Sequence, residues 1–255
     1  MSETHKIGLS KVPEVTLAFW IIKIGATTLG ETAGDALSMT MHLGYALSSG
    51  IFAACFVVAV AAQVRARSFH PFLYWAVILA TTTVGTTMAD FADRSLGIGY
   101  LGGSLSLFAI LLAALGLWRV TMGSVSVNNI TSPGVEIFYW VTILFSNTLG
   151  TALGDFLSDG AGLGYIRAAL VFGSALAVLA ACYFRTALSH TLLFWAAFIL
   201  TRPLGATLGD LLTKPHADGG FQLGRIDASS VIAVFIVACI FAMPRRSGSH
   251  PGSVS

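Results

Sequence analysis

One frame of residues occurs four times along this chain. Trp20 is followed by Thr28-Leu29-Gly30, then Asp35, then Gly44-Tyr45. The same order returns as Trp75, Thr83-Val84-Gly85, Asp90 and Gly99-Tyr100, and again as Trp140, Thr148-Leu149-Gly150, Asp155 and Gly164-Tyr165. The fourth occurrence is Trp195, Pro203-Leu204-Gly205, Asp210 and Gly224-Arg225. Each Asp stands 15 residues after its Trp, and in the first three copies each Tyr stands 10 residues after its Asp. In the fourth copy that second interval is 15, with 214–220 as an insertion and Arg225 where the others carry Tyr. A fixed internal period marks duplicated supersecondary units that bury their faces against one another.

Each copy has an apolar stretch before its Asp and another after its Gly-Tyr. The chain is 55% hydrophobic and only 10% charged, with mean hydropathy +0.81. A water-soluble domain carries about 25% charged residues, so no water-exposed surface can be built from this composition, and nucleic-acid binding is excluded. The stretches approach the ~20 residues a helix needs to cross a bilayer. The expected spans are 14–38, 43–64, 71–92, 100–119, 133–157, 165–184, 190–212 and 226–243. The fold class expected is all-α integral membrane: eight transmembrane helices as four two-helix hairpins. An even number of helices per copy makes the copies parallel. A pseudo-symmetry axis then lies along the membrane normal, unlike in inverted repeats.

The chain divides into a cytoplasmic N-terminal segment (1–13), repeats at 14–65 and 66–121, a cytoplasmic linker (122–132), repeats at 133–186 and 187–244, and a disordered tail (245–255). The N-terminus lacks the apolar core and cleavage site of a signal peptide. Lys6, Lys11, Arg65, Arg67, Arg119, Arg185, Arg245 and Arg246 fall on one side of the expected membrane. Arg94, Lys214 and Arg225 fall on the other, mixed with Asp93, Asp159 and Asp218. The excess of positive charge places both termini in the cytoplasm and the Asp-bearing tips outside. Pro71 and Pro133 suit first helical turns. Cys55, Cys182 and Cys239 lie in apolar runs and read as small buried hydrophobes without disulfides.

A four-residue step stays on one helix face. Along the first helix of each copy it gives Phe19, Lys23, Thr27, Glu31, Asp35; then Tyr74, Ile78, Thr82, Thr86, Asp90; then Tyr139, Ile143, Asn147, Thr151, Asp155; then Phe194, Phe198, Arg202, Ala206, Asp210. Each stripe begins aromatic and turns polar. Charge in hydrocarbon costs roughly 2.5–3.5 kcal/mol or more, so the stripes should face the bundle interior. Asp35, Asp90, Asp155 and Asp210 around a vertical axis would form an acidic ring of the kind that selects cations. Glu31 joins them, and Thr27, Thr82, Asn147 and Thr151 add oxygen donors. Such a set suits Mg²⁺, Mn²⁺ or Ca²⁺ better than soft metals, so the five acids are candidate metal ligands. The bland alternative is that each Asp only fastens its own hairpin turn by accepting hydrogen bonds there.

Lys23 and Arg202 are intramembrane bases in copies one and four, neighbours if the bundle closes. If each pairs with one acid, an excess of acids remains for a cation or a proton. The small pairs Gly30/Gly34, Gly85/Ala89, Gly150/Gly154 and Gly205/Gly209 read as close helix packing. Trp20, Trp75, Trp140 and Trp195 read as interfacial anchors rather than an aromatic gate, with Tyr45, Tyr100 and Tyr165 anchoring the outer face. His42, His70, His190 and His216 form no ligand cluster.

The repeating Trp, Thr-Leu-Gly or Thr-Val-Gly, Gly-Asp or Ala-Asp, and Gly-Leu-Gly-Tyr elements resemble an uncharacterised bacterial membrane-protein family. That family has four tandem two-helix repeats, each with a characteristic Trp. The resemblance covers nearly the whole chain and implies a bacterial inner-membrane location, with no settled activity or site residues. Copy four departs from it at Pro203, Arg225 and the insertion. Thr83-Val84-Gly85 with Asp90 also resembles a potassium-channel filter, but that stretch lies within a spanning helix here, and extra residues precede the Asp.

The expected function is a transporter or channel for a small cation, Mn²⁺ or Mg²⁺ preferred, with proton coupling, and with self-association as an option. The rival is a non-transporting sensor, chromophore binder or assembly protein with a closed, dry bundle whose acids are all paired. No cofactor is implied, and no nucleophile, base or phosphate-loop set points to an enzyme.

Overall fold

A computed structural model describes residues 11–66, 68–125, 130 and 132–242. Most of the N-terminal segment, part of the linker and the tail expected to be disordered lie outside the described residues. The regular elements are eight long helices: α1 (Leu17–Asp35), α2 (Gly44–Arg65), α3 (Pro71–Asp90), α4 (Gly99–Met122), α5 (Pro133–Asp155), α6 (Tyr165–Arg185), α7 (His190–Thr213) and α8 (Arg225–Ala242). Each corresponds to one expected span. Pro71 and Pro133 open α3 and α5 at first-turn positions. The Thr16 hydroxyl caps α1 by accepting from the Phe19 amide.

Among the described residues, seven helices are long and apolar enough to cross a membrane. The scarcity of charge in the sequence is concentrated in these segments, and the chain is a membrane protein built from them. α1 falls outside this group; it carries Lys23, Glu31 and Asp35 within its length.

The odd-numbered helices form a closed inner ring: α1 packs on α3, α3 on α5, α5 on α7, and α7 back on α1. The even-numbered helices lie outside it. In the most apolar stretches of α3, α5 and α7, 72%, 67% and 61% of residues are buried, against 11–22% in α2, α4, α6 and α8. The outer helices present Val57, Val58, Leu105, Val120, Val231 and Val234 outward. Apolar residues all round such a helix are what lipid contact demands.

The copies are not self-contained hairpins, a correction to the simplest reading of the repeat. α2 packs along α3, α4 along α5, α6 along α7, and α8 along α1. Each outer helix therefore covers the inner helix of the next copy, and the last covers the first. The turns that pass the chain outward have a sequence cause. Gly97 and Gly99 in copy two, and Gly162 and Gly164 in copy three, all have positive φ, a conformation that glycine adopts without steric cost.

Immediately after Asp35, Asp90 and Asp155 the α-helix widens into a five-residue π turn, at Ala36–Thr40, Phe91–Ser95 and Phe156–Gly160. Copy four instead ends α7 at Thr213 and uses its insertion, which contains a short 3₁₀ turn at His216–Asp218.

Candidate functional site

The inner helices approach closely enough that their small residues decide the geometry. A Cβ on Gly30 would collide with Thr82, on Gly150 with Arg202, and on Gly205 with Thr27. On Gly85 it would stand 3.1–3.4 Å from Asn147 and Thr148. Each glycine thus receives the equivalent residue of the next copy, in agreement with the packing reading. Hydroxyls stitch the same seams. Thr82 donates to the Ala26 carbonyl at 3.2 Å and Thr27 to the Thr201 carbonyl at 3.2 Å.

The stripes face the ring interior, as five tiers. The first is aromatic and closes one end in cyclic order. Phe19 meets Trp75 at 5.4 Å between ring centroids, Tyr74 meets Trp140 at 5.6 Å, Tyr139 meets Trp195 at 6.2 Å, and Phe194 meets Trp20 at 5.9 Å. The hydroxyls of Tyr74 and Tyr139 lie 3.0 Å apart. This corrects the interfacial assignment of the tryptophans: Trp75, Trp140 and Trp195 are buried. Their rings fill gaps between inner helices, where apolar area is removed from water and lipid alike.

The second tier is Lys23, Ile78, Ile143 and Phe198, all fully buried. The third is Thr27, Thr82, Asn147 and Arg202. The fourth is Glu31, Thr86, Thr151 and Ala206. The fifth is the four aspartates. Two hydrogen-bonded connections cross the ring between opposite helices. Lys23 Nζ donates to Asn147 Oδ1 at 3.4 Å, and Arg202 donates to the Thr86 hydroxyl. Asn147 Nδ2 donates to Thr81 at 2.8 Å, so both ends of that amide are engaged away from the acids. Thr27 and Thr82 donate to backbone carbonyls of neighbouring helices, which makes helix packing their visible role, while Thr151 donates to the Asn147 carbonyl of its own helix.

Carboxylate oxygens of Glu31, Asp155 and Asp210, all buried and from three different helices, lie within 4.8 Å of one another. Oxygens around a hard cation lie about 2.0–2.6 Å from it, so this spacing fits one ion between them. Asp35 and Asp90 complete the acid end. No hydrogen bond from a turn amide to these aspartates occurs among the described residues; basic side chains meet them instead.

Arg202 Nη2 lies 2.9 Å from Glu31 Oε2, with the guanidinium fully buried. Arg94 lies 3.1 Å from Asp90 and 3.6 Å from Asp155. Lys214 lies 3.2 Å from both Asp35 and Asp210. Arg225 lies 3.5 Å from Asp35. Burial pushes the Lys214 ammonium down, but the carboxylates of Asp210 and Asp35 outweigh it and hold its pKa well above the ordinary lysine range.

Two expectations change here. No acid is left without a basic neighbour, because Arg94, Lys214 and Arg225 turn inward rather than remaining loop charges, although the five acids still outnumber these three bases and Arg202. Lys23 pairs with no acid among the described residues. A signal for two of the missed bases was present: Arg94 and Lys214 each stand four residues after an Asp, on the same helix face. Arg225 takes the place of the Tyr in the repeat. Among the outer-face tyrosines, Tyr165 is buried, while the Tyr45 hydroxyl accepts from Arg94 at 3.2 Å. The cysteines are free but not buried; Cys55 is exposed on α2, because the apolar runs that hold them are lipid-facing.

A closed ring of four equivalent inner helices, each covered by its neighbour's outer helix, defines a membrane protein assembled from tandem helical repeats. A family model described as a Repeat of Unknown Function (DUF347) matches at residues 18–69, 73–124, 138–189 and 193–249, and the chain belongs to that family. No curated protein and no solved structure matches it.

Proposed function

We propose that the protein is a gated carrier for a small cation, with a hard divalent ion of the Mn²⁺ or Mg²⁺ kind preferred and protons as counter-ion. The carrying observation is the meeting of Glu31, Asp155 and Asp210 within 4.8 Å in the ring interior. Asp35 and Asp90 lie at the same end as reserve acids. In this reading Arg202, Arg94 and Lys214 neutralise the carboxylates when no cation is bound, and release them when one arrives. The aromatic tier at one end and the ion-paired tier at the other favour a carrier over a standing pore. The π turns directly after three of the aspartates are of a kind often found at functional positions.

The same reading has α1 crossing the membrane as an eighth span, its charged face turned into the ring. The ring axis lies along the membrane normal, both termini are cytoplasmic, and the location is a bacterial inner membrane. No enzymatic role is assigned.

One observation favours a second reading. Each of the five acids lies within 4.0 Å of a basic nitrogen, as in a closed bundle that senses, binds a chromophore or assembles without transport. Flux of Mn²⁺ and Mg²⁺ into proteoliposomes separates the two. E31Q, D155N and D210N should each lower flux roughly tenfold or more, the equivalent of losing about 1.4 kcal/mol of barrier stabilisation. Unchanged flux in all three variants would remove the site, and no flux in the wild type would leave the closed bundle.

A further inference from the structure

We infer that Lys23 carries the proton exchanged for the cation, a step that rests on the carrier reading above. Its tier is otherwise apolar: Ile78, Ile143 and Phe198 are the equivalent residues, and all are fully buried. This layer separates the aromatic end from the polar tiers. Apolar constrictions of this kind exclude water, so among the described residues at this level Lys23 is the one group that can hold a proton.

Its surroundings fit a group that gains and loses charge. Arg202 and Lys214 are each paired with carboxylate. Among the described residues, Lys23 has the neutral Asn147 Oδ1, at 3.4 Å, and the Phe198 ring face, 4.1 Å from Nζ to centroid. A ring face steadies an ammonium only weakly, far less than the cost of burying an unpaired charge. Lysine, unlike arginine, can discharge by losing its proton. Asn147 accepts a hydrogen bond from either form, and its donor end is committed to Thr81, which leaves the amine lone pair available.

The charged neighbours supply the coupling. From α7, Arg202 faces Lys23 with like charge and is held by Glu31. On α1 the nearest acid is Glu31, two turns along. α5 offers neutral Asn147, which is itself bonded to Thr81 of α3; the Tyr74 and Tyr139 hydroxyls belong to the aromatic tier, and α8 sets apolar Ile236 against α1 at Gly25. When a cation takes Glu31, Arg202 loses its partner and its charge falls on Lys23. The Nζ–H bond then breaks and the proton passes to water entering the polar tiers, the side on which Nζ meets Asn147. When the cation departs, Arg202 returns to Glu31 and the Nζ lone pair takes a proton from the opposite side. No electrons are transferred.

The test uses the full chain in liposomes, with Mn²⁺ as probe, a metal-sensing dye and a pH-sensing dye. The wild type should move protons against Mn²⁺. K23Q should move Mn²⁺ with proton counterflow reduced roughly tenfold or more, and its Mn²⁺ rate should no longer respond to pH. K23R, which keeps the charge but cannot release it, should stop Mn²⁺ exchange while eluting as folded protein and binding Mn²⁺. Proton counterflow at the wild-type level in K23Q, or exchange at the wild-type rate in K23R, would overturn the assignment and leave the carrier standing. Loss of Mn²⁺ binding in both folded variants would also overturn it. Absence of Mn²⁺ flux in the wild type would bring down the carrier reading and this inference with it.

Discussion

The two ends of the inner ring descend from the same fourfold repeat and have treated it differently. At the aromatic end every copy does the same thing: a Phe or Tyr meets the next copy's Trp, around the full circle. At the acid end the aspartates are retained, but what surrounds them differs from copy to copy. Glu31 replaces a Thr or Ala, Arg202 replaces a Thr or Asn, Arg94 serves two aspartates, and Lys214 arrives on an insertion. An end whose copies are interchangeable is doing a packing job. An end whose copies have diverged holds groups with separate tasks.

The sharpest way to break this contrast is at the seam between α7 and α1. R202M leaves Glu31 buried without its partner and should lower stability by about 3–5 kcal/mol, read by thermal unfolding in detergent. The double variant R202M/E31M should recover most of the loss. If R202M costs no more than a surface substitution, the charged end is not held by that pair. G150A comes next. Its new methyl collides with Arg202 and with Pro203, an overpacking penalty of about 1–3 kcal/mol.

At the aromatic end, Y74F removes one of two buried hydroxyls that bond to each other and should cost about 1 kcal/mol. It should leave ion flux as it was; a change in flux would mean that this end also works in transport. The smallest effect belongs to the outer ring. Gly116 on α4 has open space where a Cβ would go, so G116A should shift stability by no more than ~0.5 kcal/mol. Equal costs for G116A and G150A would deny the inner and outer helices their different roles.

Much of this was readable beforehand, for identifiable reasons. The helix positions followed from apolar length, and the stripes from a four-residue step, because both are local rules. Close approach at Gly30, Gly85, Gly150 and Gly205 followed from small residues on one face. Other features are not legible in the sequence because they depend on which helix becomes a neighbour. Trp75, Trp140 and Trp195 looked like interfacial anchors until the ring placed a partner ring against each. Arg94, Lys214 and Arg225 looked like loop charges until the turns folded them over the acids.

The amino-acid order by itself determined that this chain lives in a bilayer, that it is made of four like units, and that one face of each unit had to be hidden. Those outcomes depend on composition and period, which any stretch of chain carries with it. Only the tertiary structure decided that each outer helix covers the next copy rather than its own, and so which acid meets which base. Such pairings join residues far apart in the chain, across a distance that no local spacing encodes.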